Sequence, residues 1–541
     1  MSSKIWEVIN KGRSEDIISS LLVSRGITSE KDKKEFFNPT DPERIKIADV
    51  GISMVEVKKA VKRIKEAVKK NEKIIVYGDY DADGVCATAI MWEALYKIHK
   101  NTLPYIPERF SEGYGLNVDS IKKLKAEDSN LKLIITVDNG IVAAKAVEAA
   151  NKLGIDVVIT DHHQPEKKKP KAFATVHTTE IGGAAVAWFF AREIAEINSL
   201  ELAAIGTIAD QIPLKGANRS IVKHGLIALN KTKRAGLKSI IKDCSLTFGE
   251  IGTYEVGFML APRINAMGRL EHAIESLRLL CTKDPVKAME LSRKLGRVNL
   301  ERQKIVEEVV THTRLDIAGL KRNKIIVIAH ESYHEGVIGL AAGKLVEEFY
   351  RPAIVISKGE KIAKASARSV SGFNIIEAIR SVEHLIVQGG GHPMAAGFTI
   401  ELANIEKFEK AINKISDKLL TDEVLQRKLK VDMEIKLDQI SWDLVEKLSQ
   451  FEPTGLGNFP PTFVSKDVEV IDARAVGTGG KHLKLKLKQG NSFYNAIAFR
   501  FGELLPNISP DAKIDIAYAV EIHTWNGSRE IQLRIRDMKI I

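Results

Sequence analysis

The sequence predicts an α/β protein: a parallel-sheet domain joined by one long helix to a smaller α/β domain, followed by a small β-barrel. Three observations carry this. Between residues 71 and 210, short apolar runs alternate with stretches of helical spacing, and each run ends in a loop bearing aspartate or histidine. The run Pro285–Leu315 contains no further proline and a single glycine. Beyond Pro453-Thr454-Gly455-Leu456-Gly457-Asn458-Phe459-Pro460-Pro461, helix signals give way to short strands of alternating polarity.

A chain of 541 residues allows about three or four domains. With 44% hydrophobic and 28% charged residues it can bury a large core without disulfides or a structural metal. Three scattered cysteines (Cys86, Cys244, Cys281) exclude a disulfide scaffold and a cysteine zinc cluster, and with the lack of an apolar stretch in MSSKIWEVINKGRSED they point to a cytoplasmic protein. The apolar run Ile181–Ala191 is too short to span a bilayer, which takes about 20 residues. Lys and Arg number 81 against 70 Asp and Glu, a net charge of +11 that suits a polyanionic partner or a lysine-rich solvated surface equally.

The first 70 residues read as helices broken by the loop Phe36–Ile45, with helical spacing over Ser53–Lys70. Lys73–Tyr77 (KIIVY) reads as a strand ending in GDYDADG, with a helix from about Val85 to Lys97. Leu131–Val137 is a second strand, ending at Asp138-Asn139-Gly140 and followed by a helix to Leu153. Ile155–Thr160 is a third, ending at Asp161-His162-His163, and Leu202–Ala209 (LAAIGTIA) a fourth, ending at Asp210. Residues 221–320 read as mostly helical. The second α/β unit has strands at Lys324–Ala329, Ala353–Ser357 and Ile362–Ala367, and helices starting near Val337 and Asn374. It closes with GGGHPMAAGF (Gly389–Phe398) and a helix over Ile405–Leu420. The segments VEVIDARAV, HLKLKLK, FYNAIAF, KIDIAYAVEI and REIQLRIR, with a hairpin turn at Trp525-Asn526-Gly527-Ser528, suggest a barrel of OB type. The expected divisions are a helical segment at 1–70, the first α/β domain at 71–280, the connecting helix at 281–320, the second α/β domain at 321–424 and the barrel at 425–541.

Asp79, Asp81, Asp83, Asp138, Asp161, His162, His163 and Asp210 each follow a predicted parallel strand. Ligands of open α/β sheets bind outside the strand C-termini. Any one such aspartate is ordinarily a helix cap or turn residue. Together they gather carboxylates that repel at close range, a conflict a divalent cation resolves. Carboxylates with imidazole and no thiolate suit Mn2+ or Mg2+ better than a structural zinc site. The acidic ligands suffice for two ions, a common device for phosphoester hydrolysis.

GDYDADG at 78–84, TVDNG at 136–140, TDHHQP at 160–165 and GTIADQIPL at 206–214 resemble, in order, the four motifs of the DHH phosphoesterase superfamily. GGGHPMAAGF resembles the glycine-rich signature of the accompanying DHHA1 domain. With PERFSEGYGL (107–116), APRINAMGRL (261–270), HEGVIGLAAGKL (334–345), SARS (366–369) and PTGLGNFPPTF (453–463), the chain resembles the RecJ family of single-strand-specific 5′→3′ DNA exonucleases over nearly its whole length. The resemblance implies Asp81 and Asp83 as metal ligands, with Asp79 a further ligand or a carboxylate behind them. It implies Asp138 as the bridge between two ions, His162 and Asp210 as the remaining ligands, His163 facing the scissile phosphate, and Asp161 orienting an imidazole. Single-stranded DNA is then the substrate, in repair and recombination, with a single-strand-binding protein or repair helicase as partner, no membrane association and a monomeric chain. The segment Gln164–Gly183 is shorter than the family pattern and lacks its Asn-Pro and Cys, and the chain stops at the barrel. A DHH phosphodiesterase acting on short oligonucleotides or cyclic dinucleotides is the alternative, as is a scaffold that has lost catalysis; the added barrel opposes the first and the complete set of motif residues the second.

Glycines at 389–392 (GGGH) allow a phosphate to approach the backbone, so Gly390, Gly391 and His392 are binding candidates, although a glycine run is otherwise a turn. Ser366 and Arg368, with Arg269, are candidates for a terminal phosphate, and Arg109 for the strand, since arginine's planar fork suits phosphate. Tyr114 could stack on a base, position a phosphate or anchor a turn. In HLKLKLK, Lys484, Lys486 and Lys488 share one face, opposite Leu483, Leu485 and Leu487. Such a row tracks a single-stranded backbone or is simply solvated.

Overall fold

A computed structural model of the chain describes residues 4–10, 16–315, 323–509, 511–525 and 528–541. The chain forms two compact units: one comprises Ser29–Arg302 with Phe451–Phe459, the other Met1–Thr28, Gln303–Gln450 and Pro460–Ile541.

The N-terminal segment was expected to be helical, but β1 (Ile5–Asn10) is a strand, paired in parallel with Lys428–Glu434. Its partner is far along the chain, so nothing local marks it. Helices follow at Ile17–Ser24, Glu30–Phe37 and Met54–Lys69.

The first unit holds β2 (Lys73–Tyr77), β3 (Thr102–Tyr105), β4 (Leu131–Val137), β5 (Asp156–Asp161) and β6 (Ala174–His177) in one sheet of order β3-β2-β4-β5-β6. Every pairing is parallel. Ile74 and Val76 face one apolar cluster, and Ile75 and Tyr77 the other. Burial on both faces explains why KIIVY is continuously apolar. β3 and β6 were not foreseen: each has four residues and lies at an edge, and β3 contains Pro104, which an edge tolerates.

Leu200–Ala209 is an α-helix, which corrects the fourth predicted strand. Leu202 to Thr207 are all buried, so the run carries no helical periodicity, and a short apolar run alone cannot separate strand from buried helix. Ala203, Ala204 and Ala209 favour the helix. The expected helical region is mostly helical as far as Leu315, with a π-helical turn at Val256–Leu260 and the long helix at Pro285–Leu315, and its residues 316–320 lie outside the described residues. Leu295 and Val298 of that helix join the first unit's core. Val309 and Val310 pack with Ile326 and Val355 in the second unit.

The second unit contains β7 (Ile326–His330), β8 (Ala353–Lys358), β9 (Ile362–Arg368), β10 (Gln388–His392) and β11 (Ala395–Glu401), in the order β10-β11-β9-β8-β7. β7 and β8 are parallel and the other pairs antiparallel. The glycine run is thus an edge strand of a hairpin, not a bare turn.

After β12 (Lys428–Glu434), five strands close the barrel: β13 (Phe463–Val476), β14 (His482–Gln489), β15 (Ser492–Ala498), β16 (Lys513–Trp525) and β17 (Ser528–Ile540). The circuit runs β13-β14-β15-β17-β16 and returns to β13, with β15 and β17 parallel. The predicted turn residues Asn526 and Gly527 lie outside the described residues. Among the described residues no helix is long and apolar enough to cross a membrane.

Candidate metal centre

β2, β4 and β5 are neighbours and parallel, so their C-terminal ends bring three loops to one edge. Asp79 lies in the loop after β2. Asp81 caps the helix Ala82–Ile98, its Oδ1 accepting the Gly84 N–H at 3.0 Å. Asp83, in the first turn of that helix, accepts the N–H groups of Gly183 at 2.7 Å and Ala184 at 2.9 Å. Asp138 follows β4 with φ +61°, a conformation aspartate tolerates better than most residues. Asp161 is the last residue of β5, and His162 and His163 follow it. Asp210 arrives from a different direction than expected, as the C-terminal cap of the helix Leu200–Ala209.

These side chains converge. Asp79, Asp81 and Asp138 place ligand atoms within 4.8 Å of one another, as do Asp83, His162 and Asp210, and Asp138, His162 and His163. His162 Nε2 stands 3.1 Å from Asp138 Oδ1, 3.5 Å from Asp210 Oδ2 and 3.9 Å from Asp83 Oδ2. Burial, with His163 alongside, pulls the His162 imidazole down to about 4, so it is neutral at physiological pH and lends no positive charge. Asp79 and Asp138 are 2% exposed and Asp83 1%. Burial first, and neighbouring carboxylates second, hold all three well above the usual carboxylate range, and the same causes push the more open Asp210 up to about 7. Asp79 Oδ1 and Asp138 Oδ1 are buried without a hydrogen-bond partner. Orphaned buried carboxylate oxygens are costly. A hard divalent cation satisfies both and reverses the repulsion, so this donor set fits one.

His163 makes hydrogen bonds with both ring nitrogens. Its Nδ1 bonds Asp161 Oδ1 at 2.8 Å, and its Nε2 lies 3.2 Å from the Tyr114 hydroxyl. Asp161 also accepts the N–H groups of Ile141, His162 and His163. Burial raises its pKa, but the bond to the His163 imidazole, the charge on that ring and the Ile141 and His163 N–H groups outweigh it and hold the carboxyl below the usual range. Burial opposes charge on His163, but the bond to Asp161 and the carboxylates nearby outweigh it and push the imidazole up to about 9. Tyr114, 49% exposed, meets the Tyr80 ring edge-on at 6.0 Å, and the Arg109 guanidinium lies over Tyr80 at 4.8 Å. Burial pushes the Tyr80 phenol up to about 12 against the pull of Arg109 and, more weakly, Arg269.

Three residues escaped the sequence reading. A Cβ at Gly183 would lie 2.2 Å from Asp138 Oδ1, and one at Gly206 would lie 2.2 Å from Asp83 Oδ1. Asn265 accepts the Ala82 N–H at 2.7 Å and so fixes the loop that carries Asp79 and Asp81. The glycine pair at 182–183, the glycine of GTIAD and the motif APRINAMGRL around Asn265 were the available signals.

In the second unit, Arg368 Nη1 donates to Ser366 Oγ at 3.1 Å and to the Ala367 carbonyl at 2.8 Å, and burial lowers its pKa. No carboxylate pairs with it among the described residues. Gly339, in the first turn of the helix Ile338–Phe349, is close enough that a Cβ there would lie 3.0 Å from both Arg368 Nη2 and Ser366 Oγ. A half-buried guanidinium, a hydroxyl and a helix N-terminus together suit an anion. Gly390, Gly391 and His392 lie exposed on β10, whose partner β11 pairs in turn with Ser366 and Arg368. On the barrel, Leu483, Leu485 and Leu487 are buried, while Lys486 and Lys488 stand about 6 Å from the exposed ring of Phe493, at 5.9 and 6.0 Å. Lys484 shares their face, paired with Ile497 on β15.

The chain matches the DHH family N-terminal domain over residues 73–207, the DHHA1 domain over 322–418 and the RecJ OB domain over 431–537. It is 37% identical to the single-stranded-DNA-specific exonuclease RecJ of Bacillus subtilis, over 97% of this chain and 68% of that one. The corresponding Thermus thermophilus protein is 32% identical over 89% of this chain and 71% of its own length. The crystal structure of Thermus thermophilus RecJ in complex with Mn2+ superposes with a TM-score of 0.82 at 27% identity, covering 99% of this chain and 79% of that one. Sheet, acidic centre and domain order therefore define a phosphoesterase of the DHH type. Within that class, the chain belongs to the RecJ family.

Proposed function

We propose that the chain is a single-stranded-DNA-specific 5′→3′ exonuclease that uses two divalent ions, Mn2+ or Mg2+, to hydrolyse phosphodiesters and release 5′-mononucleotides in DNA repair and recombination. The observation that supports it most is the convergence of Asp79, Asp81, Asp83, Asp138, His162 and Asp210 around buried, unsatisfied carboxylate oxygens. These six would hold the ions; Asp138 belongs to two of the three donor groups. Bound there, the ions would supply an acidified water and charge neutralisation at the phosphate. His163 is oriented by Asp161 so that Nε2 points out toward the Tyr114 hydroxyl, where a phosphate oxygen would be met by a donor and developing charge stabilised. Arg109, lying over the Tyr80 ring, walls the same side and, with Arg269, can hold the backbone of the strand. A single-strand-binding protein or a repair helicase as partner, a cytoplasmic location and a monomeric state belong to the same reading.

The test is an assay with Mn2+ on single strands labelled at either end, with duplex and dinucleotide controls. Loss from the 5′ end of single strands supports the reading. Cleavage of the dinucleotide alone points to a small-substrate phosphodiesterase, and no cleavage refutes catalysis.

Ser366 and Arg368 are the proposed receptor for the 5′-terminal phosphate, with Gly390, Gly391 and His392 along the adjoining hairpin. Arg368→Ala is expected to cost about 2 kcal/mol of binding, or some thirtyfold in KM, on 5′-phosphorylated ends. Little should change on 5′-hydroxyl ends. Equal losses on both ends would remove this role. Lys484, Lys486 and Lys488 are proposed to track the strand backbone. Replacing all three by alanine should flatten the slope of log Kd against log salt by about 2. An unchanged slope would assign them to solvated surface.

A further inference from the structure

We propose that Tyr254 and Phe258 form a stacking platform for the bases of a single strand beside the metal centre. The inference rests on the nuclease reading and adds a base-binding subsite to it.

The two rings are stacked, with centroids 4.9 Å apart and planes inclined by 29°. They are nonetheless 55% and 70% exposed. Exposed single apolar residues need no explanation, but two large rings stacked on each other form a preformed aromatic surface. Their backbone is fixed from behind. The helical run from Thr253 to Leu270 is interrupted by the π-turn Val256–Leu260, whose Val256 and Leu260 are fully buried. π-turns inside helices concentrate at functional sites. The same turn thus anchors its inner side chains and presents Phe258 outward.

The pair is continuous with the metal centre along two routes. Gly257, between the two rings in sequence, approaches Ile208: a Cβ on it would lie 3.7 Å from Ile208 Cγ2, two residues before Asp210. Beyond Asp210 the chain reaches Leu214, whose N–H donates to the Leu456 carbonyl at 2.8 Å. Thr454, in the same loop, accepts a hydrogen bond from the Thr253 hydroxyl at 2.7 Å. Leu456 and Phe459 of that loop are 43% and 60% exposed. An apolar rim therefore runs outward from a metal ligand, and the same helical run carries Asn265, which fixes the Asp79–Asp81 loop. A strand whose phosphate lies at the metal centre must place its neighbouring bases somewhere, and every base offers a π-face regardless of sequence. A flat aromatic pair suits that occupant, since stacking imposes no base preference.

The experiment measures binding of a 5′-phosphorylated single strand, and of an abasic strand of equal length, by fluorescence anisotropy in EDTA. Wild-type protein is compared with Tyr254→Leu/Phe258→Leu, which keeps the apolar bulk and removes the π-faces. The wild type should bind the normal strand about tenfold or more tightly than the abasic one, and the double variant should lose that advantage. Phe258→Leu alone should lose part of it, and at so exposed a position it keeps the test open if the pair disturbs folding. A wild-type advantage that survives in the variants overturns the platform, including the case in which a protein partner covers the rings. Cleavage of single strands in Mn2+ by that same wild type would leave the nuclease reading standing; failure of the wild type both to bind and to cleave overturns the two together.

Discussion

Asp138→Ala is expected to leave a folded protein whose turnover is lower by on the order of a thousandfold or more. Asp138 is common to two of the three donor groups: it stands with Asp79 and Asp81 on one side and with His162 and His163 on the other. Asp83 cannot swing into its place, because it is held by the N–H groups of Gly183 and Ala184. Folding should survive, since removing one member of a buried, mutually repelling set relieves strain in the absence of metal. The opposing term is backbone conformation: φ is +61° here, and alanine pays about 1 kcal/mol more than aspartate in the left-handed region. Asp138→Asn avoids that cost and should therefore melt at or above the wild-type temperature in EDTA. With Mn2+ at a hundred times its Kd, the wild type should gain about 2.7 kcal/mol and both variants markedly less. Initial rates on labelled single strands and melting curves with and without Mn2+ decide it; turnover within tenfold of wild type would remove Asp138 from its assigned place.

The residues of this centre were legible because their chemistry is written in short loops. GDYDADG, TVDNG and TDHHQP each follow a strand whose apolar run is visible, and the parallel order β2-β4-β5 brings them together. Asp210 does reach the cluster, beside Asp83 and His162, but from a helix where a strand was expected. A helix buried all round has the same sequence texture as a buried strand, so only the packing of Leu200–Ala209 could tell them apart. Similarly, Gly389–His392 reads locally as a turn, and becomes a strand because β11 offers it partners. β1 is the extreme case, since its partner lies more than four hundred residues away, Ile5 pairing with Lys428.

The supporting residues were the least legible, and the reason is steric. Gly183 and Gly206 matter for what they lack, and the sequence does not say which side chain would fill the vacated space. Asn265 acts through a single hydrogen bond to the Ala82 N–H, and its neighbours in APRINAMGRL gave no hint of a contact with a residue 183 positions earlier. On the barrel the reverse holds: the alternation of HLKLKLK foretold which side chains face in and which face out, because a strand has period two.

Gly206→Ala sets two effects against each other, and their sizes decide the outcome. Gly206 lies inside the helix Leu200–Ala209, where alanine is favoured over glycine by about 1 kcal/mol. Propensity alone thus predicts a more stable protein. The new methyl, however, would lie 2.2 Å from Asp83 Oδ1 and 2.5 Å from the Ala184 Cβ, far inside contact distance. Neither neighbour can swing aside: Asp83 is pinned by two N–H groups, and Ala184 is a fully buried member of the core. Overpacking of this kind costs about 1–3 kcal/mol, more than the helix gains. The expected result is a lower melting temperature together with a loss of turnover of about a hundredfold, since a ligand moved by even 1 Å is badly placed for the reaction. Mn2+ should stabilise the variant less than the wild type, which separates damage at the centre from general destabilisation. Gly225→Ala provides the comparison: its methyl would lie 2.4 Å from the Ala204 Cβ, in the same core but against no ligand. That variant should melt early yet keep its response to Mn2+. If Gly206→Ala kept the full response too, Asp83 would not need the space that Gly206 leaves it.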